Sequence, residues 1–173
     1  MTDPGRAGFS SVGRGMNESG FRRGVRLAVD WGDVRIGVAA CDVDGVLAFP
    51  VSTVRAGADE IAALLAVVRQ FGPIEVLVGL PRSMAGGEGP AAVRARERAG
   101  RLARAVGVPV RLVDERLSTV TAAQRLRAGG RKAREQRGVI DAAAAAAILE
   151  QALTLERAQG MPPGELVSAT GVD

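Results

Sequence analysis

Three acidic positions stand where apolar runs end or begin. Asp30 closes the run Val25–Val29, the pair Asp114-Glu115 follows Val110–Val113, and Asp141 opens a stretch with six consecutive alanines, Ala142–Ala147. The chain has no histidine, no tyrosine and one cysteine. That composition excludes Ser-His-Asp catalysis, histidine zinc sites and histidine general bases. Acid–base or metal chemistry here must use Asp, Glu or water, and carboxylates without nitrogen or sulfur partners suit Mg²⁺ or Mn²⁺. Each acid also has an ordinary structural reading. Asp30 before Trp31-Gly32 is placed to begin an Asx-turn. Asp114-Glu115 reads as a solvated pair with Arg116 as counter-ion, and two adjacent strand residues point opposite ways, so at most one faces a shared site. Asp141 in a first helical turn complements the helix dipole. Taken together, three acids at three element ends can meet at one sheet edge. Such a cluster repels itself unless a cation neutralises it.

The elements that must position these acids are legible from periodicity. Val25–Asp30, Arg35–Cys41, Val46–Val54, Ile74–Leu80 and Val110–Val113 read as strands. The links Trp31-Gly32-Asp33-Val34 and Asp42-Val43-Asp44-Gly45 are too short for anything but antiparallel hairpins, so the first three strands form a meander. The last two follow helical segments, as parallel crossovers require. A helix from about Asp59 to Gln70 presents Ile61, Leu64, Leu65 and Val68 on one face and stops at Phe71-Gly72-Pro73. A second, from about Pro90 to Val106, carries Arg94, Arg98, Arg101 and Arg104 on its polar face. A third runs from near Thr119 to Gly129-Gly130, where Thr121 and Gln124 fit a capping box. A basic loop, Arg131 to Arg137, precedes a last helix from Ile140 to about Ala158. The expected fold is α/β: a mixed five-stranded sheet with an antiparallel meander, flanked by helices. This is an RNase H-like order, which other mixed α/β folds share nearly as well. Residues 1–24, rich in Gly, Ser and Arg, and residues 159–173, with Pro162-Pro163-Gly164, are expected to be disordered ends around one domain at 25–158.

The net charge is +4, and it is unevenly placed. Residues 91–137 hold 13 Lys and Arg against 4 Asp and Glu, with Lys132 the only lysine. Such a stripe is the electrostatic footprint of a polyanion. The Gly-rich loop 79–89 with Arg82 could cradle a phosphate; it is not a Walker A loop, and by spacing alone it reads as ordinary surface. No apolar run approaches the 18 or so residues of a membrane span, and there is no signal-peptide core. A lone cysteine rules out an internal disulfide and points to a reducing, cytoplasmic compartment. Cys41 at a strand end is expected to be an inert small residue. A less favoured reading lets it link two copies on oxidation, so a monomer or weak homodimer is expected.

Four segments, in order and with suitable spacing, resemble the YqgF/RuvX family: Asp30-Trp31-Gly32-Asp33-Val34-Arg35-Ile36-Gly37-Val38-Ala39, then Gly79-Leu80-Pro81 with its Gly-rich loop, then Asp114-Glu115-Arg116-Leu117-Ser118-Thr119, then Ile140-Asp141 with the alanine run. The resemblance spans about Val25 to Leu153. The third segment usually has threonine where Ser118 stands. The resemblance implies an RNase H-like fold and a nuclease. Two roles go with it: maturation of the 5′ end of pre-16S rRNA, with ribosomal particles as a partner, and resolution of Holliday junctions. It also implies Asp30, Glu115 (or Asp114) and Asp141 as the acids that hold Mg²⁺ or Mn²⁺. Phosphodiester hydrolysis at two metal ions needs no histidine. Arg35, Arg82, Arg116, Arg131, Lys132 and Arg134 are then expected to hold substrate phosphates. Two rivals remain at this stage. One is a nucleotide-binding protein of the actin-like kind, which needs a second lobe. The other is a nucleic-acid-binding module without catalysis.

Overall fold

The computed structural model describes residues 20–117 and 133–169. β1 (Arg26–Trp31), β2 (Arg35–Cys41) and β3 (Ala48–Arg55) form the expected meander. α1 (Glu60–Phe71) leads to β4 (Glu75–Leu80), and α2 (Pro90–Ala105) leads to β5 (Val110–Asp114). β4 lies parallel to β1 and to β5. A single 3-10 turn, Glu115–Leu117, follows β5. The next described element is α3 (Ala133–Gln159). The helix expected near Thr119, together with Arg131 and Lys132, lies outside the described residues.

The sheet has six strands where five were expected, in the order β3-β2-β1-β4-β5-β6. β6 (Glu165–Leu166) comes from the segment read as a free tail and pairs antiparallel with β5. Val167 N donates to the Val110 carbonyl at 2.9 Å, extending the pairing. The physical reason is the edge: without β6, β5 would present unpaired backbone groups to solvent. Two residues, one charged and one apolar, are too short a signal to register as a strand. At the other end Phe21, expected to be disordered, is 2% exposed. Its ring is covered by the guanidinium groups of Arg26 and Arg157, at 4.7 and 4.4 Å from the centroid.

Strand alternation divides the core in two. Leu27, Val29, Trp31, Ile36 and Val38 face α1 and α2, with Val76 and Val78 of β4. Ala28, Ala39, Cys41, Leu77 and Val113 face α3, against Ala145, Ile148, Leu149 and Ala152. Small residues on both sides let α3 lie close to the sheet. Over Arg137–Gln159 this helix is long and apolar enough to cross a membrane by composition, with mean hydropathy 1.4. Its alanine face is buried on the sheet, as a core helix requires. α3 also begins seven residues earlier than expected, so backbone read as basic loop, Arg134 included, is helical.

Cys41 is placed as the favoured reading has it, an inert buried residue, which weighs against the oxidation-linked dimer. β2 is interior to the sheet, the side chain is 2% exposed, and Sγ accepts a hydrogen bond from Arg26 N at 3.3 Å. Burial pushes its thiol pKa up. A disulfide between two copies through Cys41 would require the core to open.

Candidate active site

β1, β4 and β5 run parallel, so their carboxyl ends share one edge, where α/β sheets place their sites. Asp30 is the penultimate residue of β1 and has the parity of Ala28, so it faces α3. It is 6% exposed. Its partner across the hairpin is Gly37 of β2. A Cβ at Gly37 would fall on the backbone of Asp141 and Ala142. The missing side chain is what lets α3 cross at that level, and it brings Asp141 beside Asp30.

The third acid arrives by a similar device. β5 ends at Asp114, and the chain turns into the 3-10 segment at Glu115. A Cβ on Gly79, at the end of β4, would lie 2.6 Å from Glu115 Oε1 and 3.0 Å from Ile148 of α3. Glu115 therefore folds over Gly79 on the α3 side. Asp30, Glu115 and Asp141 line one cleft of about 270 Å³, together with Trp31, Gly32 and Pro81.

Asp114 goes elsewhere. Its oxygens accept from Arg116 N at 2.9 Å and from Arg116 Nη2 at 2.7 Å. The Arg116 side chain holds its carboxyl below the usual carboxylate range. The adjacent pair is thus divided by the turn that ends β5, Glu115 in the cleft and Asp114 tied to Arg116. Arg116 also donates to the Ser83 carbonyl at 3.2 Å. Arg82 lies 3.7 Å from Glu88 within the Gly-rich loop, and neither arginine lines the cleft. Arg35 does reach the acids: its Nε donates to Asp141 Oδ2 at 3.0 Å. The side chain of Arg134 is outside the described residues, as are Arg131 and Lys132.

Two residues with no assigned role in the sequence reading line the cleft opposite the acids, Arg94 and Arg98 of α2. Both approach Asp33, at 3.8 and 3.0 Å. A signal for them existed. A helix that follows a parallel strand begins at that strand's carboxyl edge, so the first arginines of α2 must stand near the acids. Among the described residues no three acidic groups stand close enough to hold one ion as they are placed. The donors are nonetheless all oxygen, in one cleft, with Asp141 held by a guanidinium.

An RNase H-like sheet with a carboxylate-lined cleft at its parallel edge defines the class. Residues 24–155 match the family model RuvX, described as Holliday junction resolvase. The chain belongs to that family. It is 60% identical over 150 residues to a Streptomyces avermitilis protein named "Putative pre-16S rRNA nuclease", covering 84% of this chain and 96% of that one. A protein of the same name from Streptomyces coelicolor is 60% identical over 149 residues, covering 84% and 89%. Among solved structures, Thermus thermophilus RuvC in complex with a Holliday junction substrate superposes with TM-score 0.54 at 20% identity. The match covers 80% of this chain and 98% of that one, a likeness of fold.

Proposed function

We propose that this chain is a divalent-metal-dependent endonuclease that hydrolyses phosphodiester bonds and processes the 5′ end of pre-16S rRNA in the cytoplasm. The observation that carries the reading is the convergence of Asp30, Glu115 and Asp141 in one cleft, facing Arg94 and Arg98. The names of its relatives supply the substrate. The donor set fits Mg²⁺ or Mn²⁺ in type, oxygen only. Asp30, Glu115 and Asp141 are the residues that would hold it. A bound ion pair of that kind supplies an acidified water and charge stabilisation for the leaving oxygen.

The chain's own groups do the rest. Asp30 sits in a central strand, which fixes its carboxylate. Arg35 orients Asp141 through the 3.0 Å contact. Arg94 and Arg98 stand across the cleft where the phosphates flanking the cut must lie, and guanidinium groups match phosphate oxygens in pairs. Arg82 and Arg116 serve the substrate beyond the cleft, and Arg131, Lys132 and Arg134 are further candidates for holding its phosphates. Resolution of four-way DNA junctions is a second reading, supported by the description of the matching family.

The test sets a pre-16S rRNA fragment beside a four-way DNA junction, with Mg²⁺, Mn²⁺ or chelator. Asp30→Asn, Glu115→Gln and Asp141→Asn should each lower cleavage by more than about a hundredfold, beyond what loss of an outer-sphere partner costs. Each should still melt cooperatively. Asp114→Asn should retain cleavage, since Asp114 is engaged by Arg116. Full activity of Asp30→Asn in metal buffer would remove the assignment.

A further inference from the structure

A second groove, of about 920 Å³, opens from the cleft along α2, and Arg94 and Arg98 line both. Beyond them it is walled by Arg101 and Arg104 on one side and by Glu165, Leu166 and Val167 of the β6 segment on the other; Glu97 also lines it, and Glu165 is paired with Arg96 at 3.0 Å. Positions 94, 98, 101 and 104 follow one helical stripe. Ala92, Ala95, Ala99 and Leu102 occupy the opposite, buried face. At 1.5 Å rise per residue the stripe is about 15 Å long, with a guanidinium every 4.5–6 Å or so. Arg104 forms no ion pair among the described residues. Arg94 and Arg98 pair only with Asp33, whose side chain is 70% exposed, and contacts of that kind are easily exchanged. Gly100, a poor residue for mid-helix, stands in the groove wall where any side chain would add bulk.

We propose that this arginine stripe is the track for the sugar-phosphate backbone of the strand leaving the cleft. The proposal rests on the nuclease reading and adds to it the path of the substrate. A strand cut beside Asp30 must exit somewhere, and this groove joins the cleft through two shared arginines. The guanidinium wall meets the phosphates, and Leu166 and Val167 meet the sugars, with the Glu165 charge beside them offset by Arg96. An acidic peptide lying in the same groove would run its charge into the carboxylate cleft, so it is the poorer occupant.

The test is binding of a fluorescein-labelled single-stranded RNA of about 12 nucleotides, long enough at 3.4 Å or more per nucleotide to fill cleft and groove. Anisotropy is read in the full-length Asp30→Asn chain without divalent ions, so that no cleavage intervenes. Arg101→Ala with Arg104→Ala should lower the slope of log Kobs against log salt by about 1.4, since each single-strand phosphate contact contributes about 0.7. Arg101 also contacts the buried Glu60 at 2.6 Å, so Arg104→Glu serves as a second variant. It should lower the slope by about 0.7. Arg69→Ala, exposed on α1, should leave slope and affinity unchanged. Unchanged slopes in both groove variants overturn the track. So does a poly-glutamate peptide whose binding depends on Arg101 and Arg104 while RNA binding does not. Failure of the nuclease reading shows separately, as cleavage that survives Asp30→Asn.

Discussion

A methyl group at position 79 would lie 2.6 Å from Glu115 Oε1, while one at position 37 would meet the backbone of Asp141. The two glycines guard different things. At Gly79 the obstacle is mainly the movable end of a glutamate. Gly79→Ala should therefore cost little stability, about 1 kcal/mol, yet displace Glu115 and abolish most cleavage. At Gly37 backbone meets backbone, and no side-chain rotation relieves it. Gly37→Ala should push α3 off the sheet and destabilise by about 3 kcal/mol or more. Thermal melts and cleavage rates on the two variants separate these outcomes. Equal melting temperatures for both would refute the difference.

At the scale of elements, α3 is held by charge at two levels. In its third turn Asp141 meets Arg35. Near its end Glu156, 1% exposed, accepts from Arg22 Nε at 2.9 Å and from Arg26 Nη2 at 3.1 Å. Glu75 of β4, also buried, joins the network through Arg22 at 2.8 Å and Arg111 at 3.3 Å. This network lies at the amino end of β1 and β4, away from the acids. Removing one partner from a buried ion cluster leaves an uncompensated charge, at about 3–5 kcal/mol. Burial pushes the Glu156 pKa up, but the hydrogen bonds from Arg22 and the field of Arg26 outweigh it and hold it below the ordinary 4.5. A carboxyl depressed in the folded state contributes stability that is present above its unfolded pKa. That stability is lost as pH falls through the lower, folded value. Denaturant melts of the wild type should weaken as pH drops below about 4.5. Glu156→Gln should be less stable at neutral pH and flatter in that acid window. An identical acid slope in the variant would show that Glu156 does not contribute it.

For the whole molecule the question is one cut or two. A junction resolvase makes symmetric incisions and needs a two-fold dimer. Processing an rRNA end needs one incision. Cys41 offers no covalent route to a dimer, because it lies under α3 in the sheet interior. Depletion of the protein in its host should leave 16S rRNA with an extended 5′ end, read by primer extension. The purified chain should sediment as a monomer at the concentration where it cleaves rRNA. Mature 16S ends after depletion, with junctions resolved by a stable dimer, would favour the resolvase instead.

The sequence by itself determined the order of elements between Arg26 and Asp114, because each strand and helix there carries its own period and its own breaker. It determined that any chemistry must rest on carboxylates, because histidine is absent. It singled out Asp30 from the strand end at which it stands, and Asp141 from an expected helix start that the structure moves to Ala133, two turns earlier. What it left open was decided by proximity, which no local pattern encodes. The placing of Glu115 rather than Asp114 in the cleft followed from the turn that ends β5 and from the space above Gly79. The company of Arg94 and Arg98 followed from where a parallel crossover sets down the start of α2. β6 and the docking of Phe21 depend on a sheet edge and a helix end that exist only once the rest has folded. Segments of one or two residues have no period to announce such a contact beforehand; the folded edge and helix end supply their partners.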